Sequence, residues 1–432
     1  MPWDEQNTLA RFDDSHLDRL NMAAALLSAT GWIDQLARLV AIDTAFPPGG
    51  GYGGFADALQ DLFAPLGFGL RRVEPPESLW RCRPAAGPRV SLVASRRTGR
   101  PVCSIPCHMD TAPPGPGWTR PPLTLTRQGS VLFGRGTVEM KGAIVALWAA
   151  LRAADAVGLS LRFDPLLLFT TDDKGGCFPA LRYLAEQQMV EGHVLCLNGS
   201  AAPRIWVGCL GSFDLEIRIS HCMRMRNGAG AAQAMRPILT ALTDLQAELH
   251  QCSSRLPAPP EQGGGMLRPS LSFVSVAAET EPDEKEPVGV LVLKRHFTSD
   301  EGFGRALEEL KARVERAAQA AGCRCAVECR VLRRIDAVTD PDQGPNGPSW
   351  QRALSWGFGF PTQSFRRWGG AGGSPLGFVQ QAGIKEILLG GLLRPGQAPH
   401  APDEHTTVED VEALARSVLA YLADLPGVPD PS

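Results

Sequence analysis

The sequence predicts an α/β protein in which a small inserted domain interrupts a larger domain built on a largely parallel sheet. Up to residue 210, short apolar runs alternate with helical stretches, which is the order typical of βαβ units. Over residues 211–332 the order becomes strand, helix, strand, strand, helix, strand, the split βαβ (ferredoxin-like) plan. We therefore expect a larger domain formed by residues 1–210 and 333–432, with residues 211–332 inserted.

The first segment begins with a helix and a loop. Apolar residues at helical spacing predict one amphipathic helix over residues 17–42, and a Gly- and Pro-rich loop follows over residues 46–54. The strands expected next are residues 90–93, 102–105, 166–169 and 194–197, and the helices are residues 142–154 and 180–186.

The inserted and final segments follow the same rules. The inserted strands are expected at residues 213–219, 271–276, 289–297 and 325–332, and the inserted helices at residues 231–249 and from the N-cap Ser299 to Gly322. The larger domain is expected to resume with residues 350–357 and 387–389 and to end in a closing helix whose capping box is Thr406 with Glu409.

Composition excludes several classes of function. The 432 residues carry a net charge of −3, so no basic surplus points to nucleic acid or to an anionic membrane. Apolar runs stay below the roughly 18 residues that a membrane helix needs, and the first residues lack the features of a signal peptide. With 11 cysteines, an odd number at low density, we expect reduced thiols and a cytoplasmic location.

Five polar turns lie next to elements of the predicted sheet. The positions that carry chemistry in them are His108 and Asp110, Glu139, Asp173 and Lys174, Asn198, and His400. Ligands bind at the carboxyl ends of strands in open α/β sheets, so these side chains are candidates for one site. Taken singly, each is also explained by a turn or by a helix start.

Together these motifs resemble the co-catalytic zinc aminoacylases and carboxypeptidases. That family includes acetylornithine deacetylase, succinyl-diaminopimelate desuccinylase and the glutamate-releasing carboxypeptidase. The matching motifs are residues 108–111, Gly117-Trp118, Pro121-Pro122, and residues 134–142, and the resemblance extends over about residues 30–425. It implies a zinc-exopeptidase-like α/β/α catalytic domain with an inserted lid and dimerisation domain, and a small amide or peptide as substrate.

The resemblance also implies a role for each candidate. In the family, two zinc ions polarise an amide carbonyl and activate a water, and a Glu acts as general base. The positions that correspond are His108 and His400 as ligands of the two sites, Asp110 as the orienting Asp, Glu139 as the bridging Asp, Asp173 as the general base, Lys174 as a Glu ligand, and Asn198 as the other acidic ligand.

Four of these seven positions differ from the family pattern. Lys174 is the most severe change, because an ammonium has no lone pair to give and repels a cation. Glu139, Asp173 and Lys174 together carry −1 without metal, and two divalent ions would bring them to +3. We therefore expect zero or one zinc, with His108, Glu139 and His400 as its ligands. Lys174 is expected to pair with Glu139 or Asp173.

The remaining candidates would bind substrate. In relatives, a His of the inserted domain reaches the partner subunit's active site; here Arg224 stands at that position, and His221 lies nearby. Arg295 matches an Arg that binds the substrate carboxylate, and Gly372 and Gly373 match a loop that touches substrate. Asn198 is also a candidate substrate contact. A homodimer through the inserted domain is expected from the same resemblance.

Three hypotheses about function stay open at this point. The first is a diverged enzyme that acts on an amide-bearing amino acid or small peptide through Asp173, Lys174 and Asp110, with zero or one metal. Its reaction is hydrolysis or a related acyl or cyclisation step in a biosynthetic pathway. The second is an inactive pseudo-hydrolase that serves as a binding or scaffold protein. The third is an ordinary dizinc N-acyl amino acid deacylase.

Overall fold

A computed structural model describes residues 5–80, 87–174, 178–220, 231–279, 288–320 and 325–425 of the chain. The chain divides into two compact units. The first comprises Met1–Ile205, Asp342–Arg366 and Gln381–Ser432, and the second comprises Trp206–Pro341 and Arg367–Gln380. The second unit thus includes a segment beyond residue 332, which the sequence pattern assigned to the larger domain.

The helices in the described residues are α1 (Glu5–Leu26), α2 (Trp32–Val40), α3 (Tyr52–Phe63), α4 (Lys141–Ala156), α5 (Pro179–Glu186), α6 (Ala231–Leu249), α7 (Gly302–Ala320), α8 (Gly347–Phe358), α9 (Leu376–Gln381) and α10 (Val408–Ala423). The strands are β1 (Gly69–Val73), β2 (Ser91–Ser95), β3 (Val102–His108), β4 (Thr126–Gln128), β5 (Val131–Phe133), β6 (Asp164–Thr170), β7 (His193–Cys196), β8 (Arg204–Cys209), β9 (Gly211–Ser220), β10 (Ser270–Glu279), β11 (Val288–Phe297), β12 (Ala326–Ile335), β13 (Val338–Thr339), β14 (Arg366–Gly370), β15 (Ile387–Leu389) and β16 (His405–Thr407).

The first unit is built on a six-stranded sheet, which confirms the predicted α/β class. The strand order is β1-β2-β6-β3-β7-β15, and β6, β3, β7 and β15 run parallel. Helix α4 is buried along nearly its whole length and packs against α2 and α10. Helices α8 and α10 approach closely at Gly357, where an added Cβ would lie 2.0 Å from the Ser417 hydroxyl oxygen.

The second unit contains a four-stranded antiparallel sheet in the order β10-β11-β9-β12. Along the chain its elements follow the order β9, α6, β10, β11, α7, β12, as the sequence pattern predicts. Alternate residues of β9, from Phe213 to Ile219, face a core that α6 and α7 share. This pairing of a period-two strand pattern with two amphipathic helices is what makes the unit compact.

Several expected boundaries are wrong. The single helix predicted over residues 17–42 is two helices, α1 and α2, because Gly31 adopts a left-handed conformation with φ 78° between them. Helix α7 begins at Gly302, so Ser299 is not its N-cap. The closing helix α10 is capped by Thr407, whose hydroxyl accepts a hydrogen bond from the Asp410 amide, one residue later than the predicted box.

Helix α3 begins at Tyr52, inside the loop expected over residues 46–54. The expected helix end at Gly322 lies outside the described residues. Among the helices that the structure describes, none combines the length and the apolar character that a membrane crossing requires.

Candidate active site

Three adjacent parallel strands of the first unit bring four candidate side chains to one edge of the sheet. Strand β3 ends at His108, β6 ends shortly before Asp173 and Lys174, and β7 ends shortly before Asn198. Because parallel strands present their carboxyl ends at the same edge, residues far apart in sequence meet there. The predicted convergence therefore follows from strand order alone.

Glu139, in the turn just before α4, lies at the centre of this group. Its Oε1 accepts hydrogen bonds from the Lys174 ammonium and, at 3.3 Å, from the Asn198 amide nitrogen. Its Oε2 lies 2.6 Å from His400 Nε2, and His108 Nε2 lies 3.7 Å from Oε1. One carboxylate thus contacts four of the predicted site residues.

Only one of the two ring nitrogens of His108 has a hydrogen-bond partner in the part of the chain that the structure describes. Its Nδ1 lies 2.8 Å from the Asp110 carbonyl oxygen, whereas the Asp110 carboxylate is 3.6 Å away. The ring is therefore oriented by the backbone of Asp110, while the Asp110 carboxylate accepts a hydrogen bond from the Lys174 amide at 2.7 Å. His108 Nε2 is buried and has no hydrogen-bond partner among the described residues.

The charges of the site reinforce one another. Burial raises the pKa of Glu139, but the neighbouring His108 and His400 rings and the Lys174 ammonium outweigh it and hold that pKa well below its usual range. Burial lowers the pKa of Lys174, and Glu139 and Asp173 reverse this and raise it. Glu139 and Lys174 therefore form a charged pair at neutral pH.

His108 and Asp173 are perturbed in the same direction. Burial and Lys174 lower the pKa of His108, but Asp173, Asp110 and Glu139 outweigh them and raise it to about 10. Burial raises the pKa of Asp173, and the nearby cations His108 and Lys174 oppose that rise only in part. A carboxyl with a raised pKa is suited to accept and return a proton.

Three of the candidate residues could hold one metal ion. Atoms of His108, Glu139 and Asp173 that can ligate a metal lie within 4.8 Å of one another. In the neutral form of the ring, the unpartnered Nε2 of His108 would be the free ligand atom that such a site requires. The Lys174 ammonium, which cannot ligate a metal, contacts Glu139 beside them.

A buried trio behind Asp173 was not anticipated. Asp172 accepts hydrogen bonds from the Tyr52 hydroxyl at 2.7 Å and from Arg89 Nε at 2.6 Å. The Arg89 guanidinium also lies 4.9 Å from the centre of the Trp80 ring. Asp172 has a φ of 60°, so these contacts hold the turn that presents Asp173. An Asp next to the site in sequence was the one signal that pointed to this trio.

The candidate substrate contacts are placed less completely. Arg295 lies in β11 of the second unit, fully buried, and its guanidinium bonds to Glu301. Gly373 lies after β14, where an added Cβ would be 2.7 Å from Ser212 Oγ, and nothing lies within 4 Å of such an atom at Gly372. Arg224 and the alternative His221 lie outside the described residues. The substrate roles of these residues stay predictions.

Comparison with known proteins agrees with this geometry. Residues 105–424 match the family described as Peptidase family M20/M25/M40. The chain belongs to this family. The succinyl-diaminopimelate desuccinylase of Novosphingobium aromaticivorans is 30% identical over 180 residues, 37% of this chain and 45% of that protein. The same enzyme of Acidiphilium cryptum is 36% identical over 137 residues, 30% of this chain and 36% of that protein. The chain thus spans less than half the length of these two curated relatives.

Solved structures share the fold at low sequence identity. The di-peptidase Dug1p of Saccharomyces cerevisiae superposes with a TM-score of 0.72 at 13% identity, over 95% of this chain and 98% of that chain. The M20 family metallo-carboxypeptidase Sso-CP2 of Sulfolobus solfataricus gives a TM-score of 0.70 at 15% identity, over 91% and 98%. The Bacillus subtilis protein YXEP gives 0.57 at 13% identity, over 94% and 97%, and is described as a dinuclear metal-binding peptidase.

Proposed function

We propose that this protein is an enzyme that acts on the amide bond of an amino-acid derivative or small peptide, with zero or one metal ion per chain. The observation that carries the proposal is the contact between the Lys174 ammonium and Glu139. In this proposal that ammonium takes the place of a second cation. Membership of the M20 family and the relatives described as desuccinylases and dipeptidases support the substrate class.

The charge balance of the site favours a single ion. Asp110, Glu139 and Asp173 supply three negative charges, and Lys174 supplies one positive charge. A His must be neutral to ligate a metal, so one divalent ion brings the group to neutrality. A second would leave a surplus of two positive charges in a largely buried site, which is costly.

Each residue has a role in the proposed reaction. His108 and Glu139 would hold the ion, with His400 completing the set. An ion bound there would polarise the amide carbonyl and lower the pKa of a bound water. Asp173 would take a proton from the attacking group and return it to the leaving nitrogen. Lys174 would keep Glu139 ionised and in place, and the Asn198 side chain would donate to the same oxygen.

The reaction class is hydrolysis or a related acyl transfer, such as cyclisation or condensation in a biosynthetic pathway. The test is a panel of N-succinyl and N-acetyl amino acids and dipeptides, followed by mass spectrometry to separate hydrolysis from condensation. Asp173→Asn should abolish turnover, and the matched surface change Asp61→Asn should leave it unchanged, because Asp61 is exposed.

Two outcomes would replace the proposal with one of the alternatives. Two zinc ions per chain after purification without added metal would establish an ordinary dizinc deacylase. A chain that binds no metal, turns over no substrate of the panel and supports its cellular role with Asp173→Asn would establish a binding or scaffold protein.

The same proposal includes a homodimer formed through the second unit. Its edge strand β10 exposes Val274 and Val276, which are 58% and 51% accessible. An exposed apolar edge strand is suited to pair with another chain. Sedimentation analysis of the wild type and of Val276→Lys tests this: the wild type should sediment as a dimer and the variant as a monomer.

A further inference from the structure

The buried carboxylate of Glu404 is bound by the turn that carries Glu139. Its side chain is almost fully buried, and its carboxylate accepts four hydrogen bonds. Three come from the amides of Gly136, Val138 and Glu139, at 3.0, 3.0 and 3.2 Å, and the fourth comes from Arg135 Nη1 at 2.7 Å. Glu404 thus fixes the backbone of Glu139 and of the residues just before it.

Arg135 extends this contact to the loop that carries His400. Its Nη2 lies 3.3 Å from the carbonyl oxygens of Pro113, Pro114 and His400. Its guanidinium also lies 5.0 Å from the centre of the Trp118 ring, and the side chain is 1% exposed. A planar guanidinium with several fixed donors can satisfy all these partners at once, whereas a lysine ammonium cannot.

The two loops meet at the centre of the candidate active site. Glu139 Oε2 lies 2.6 Å from His400 Nε2, and His400 itself has a φ of 65°, in the left-handed region. A residue other than glycine keeps that conformation only where its surroundings hold it. The hydrogen bond from Arg135 to the His400 carbonyl is such a restraint.

We infer that Glu404 and Arg135 are positioning residues that hold Glu139 against His400. Neither residue was singled out by the sequence analysis as a site residue. The inference deepens the proposed function, on which the roles of Glu139 and His400 rest, but its geometric content does not depend on activity. Glu404 and Arg135 act through the backbone, so their removal should misplace the Glu139–His400 contact and leave His108 in place, because the His108 ring is held by Asp110.

The test is nitrogen NMR of the full chain labelled with ¹⁵N-histidine and freed of metal. The chain has eight histidines, so the ring signals of His108 and His400 can be assigned from the signals lost in His108→Gln and His400→Gln. Arg135→Lys keeps the positive charge beside Glu404 but loses the planar guanidinium that donates to several partners at once. The matched control is Arg333→Lys, which changes an Arg–Asp214 pair in the second unit.

In Arg135→Lys we expect the His400 ring signals to shift, while the His108 signals shift by much less because Asp110 still holds that ring. Arg333→Lys should move neither. Unchanged His400 signals in a folded Arg135→Lys protein would overturn the inference, and so would shifts of equal size at both histidines. If Arg135→Lys does not fold, Glu404→Gln gives the same test, because Gln keeps the size but loses acceptor atoms.

This experiment separates the two proposals. A selective shift at His400 supports the positioning role even in a protein that turns over no amide. Turnover that depends on Asp173, together with unchanged His400 signals, would leave the proposed function standing and remove the positioning role.

Discussion

Replacing Lys174 by Glu should convert the site into one that binds an additional divalent cation. The change places a carboxylate next to Glu139 and Asp173. The resemblance to the zinc aminoacylases and carboxypeptidases implies a Glu metal ligand at this position. We expect Lys174→Glu to bind one more zinc ion per chain than the wild type. If the proposed chemistry is limited by the missing ion, amidase activity should rise with it.

The magnitude follows from the distances. Lys174 Nζ lies 3.9 Å from Asp173 Oδ2. Two unit charges at about that distance interact by about 4 kcal/mol at an effective dielectric constant of about 20. Replacing the ammonium by a carboxylate turns this attraction into a repulsion of similar size. The resulting difference is comparable to the whole free energy of unfolding of a typical domain, so the variant must take up a cation or a proton.

Elemental analysis and thermal unfolding measure the two consequences. Metal-free Lys174→Glu should unfold several degrees below the wild type, and zinc should reverse the loss. Free zinc at 100 times its dissociation constant adds about 2.7 kcal/mol of stability. Lys174→Met separates the two causes, because it removes the ammonium without adding a ligand. Lys385→Glu, at an exposed position, controls for net charge.

Either of two results would refute the reasoning. The wild type binding two zinc ions would mean that Lys174 does not exclude the second one. A folded Lys174→Glu protein with the metal content and zinc-dependent stability of Lys174→Met would mean that the new carboxylate does not reach a metal.

Three further predictions concern stability. The Asp164 carboxylate accepts hydrogen bonds from three loop amides and a hydroxyl. Burial raises the pKa of Asp164, but these hydrogen bonds outweigh it and lower that pKa. Asp164→Asn should therefore reduce the free energy of unfolding by about 1.5–3 kcal/mol at neutral pH. Because the folded pKa is depressed, that difference should shrink as pH falls below 3.8 in urea unfolding. Gly357→Ala should cost about 1–3 kcal/mol by overpacking α8 on α10, whereas Gly54→Ala in α3, with open space around it, should be neutral or stabilising in the same melts. Arg89→Leu should cost about 3–5 kcal/mol by leaving the buried Asp172 unpaired, and a double-mutant cycle with Asp172→Leu should lose less than the two single changes combined.

The fold was predictable where the apolar periodicity is strong. The prediction fails at helix ends, where the capping residue determines the boundary. Buried strands such as β3 and β6 were located from apolar runs, and the structure extends them by a few residues. The errors lie at helix ends. Thr406 and Thr407 both have a carboxylate three residues later, so sequence alone does not choose between the two caps. Gly31 interrupts an apolar pattern that continues on both sides, and its φ is known only from the structure.

The site was predictable to the extent that strand ends determine it. Lys174 and Asn198 follow β6 and β7, the parallel strands on either side of β3, so their approach to Glu139 could be anticipated. The pair Arg135 and Glu404 could not, because 269 residues separate them and an Arg in a glycine-rich turn has no distinctive signal. Buried partners of this kind depend on where loops from distant segments meet, which periodicity does not encode.

In the proposed function, the ammonium at position 174 and the missing second cation have one energetic cause. A buried ammonium is tolerated only beside carboxylates that would otherwise lack a positive partner, and Lys174 lies against two of them with 7% of its side chain exposed. A cation bound at the same oxygens would face that ammonium at close range in a medium that screens poorly. In the proposed function the ammonium and a second cation therefore exclude each other, while His108 Nε2, 3.7 Å from Glu139 Oε1, has no hydrogen-bond partner among the residues that the structure describes. The proposed enzyme, with one metal and a fixed ammonium, is the hypothesis of the three that agrees best with these contacts.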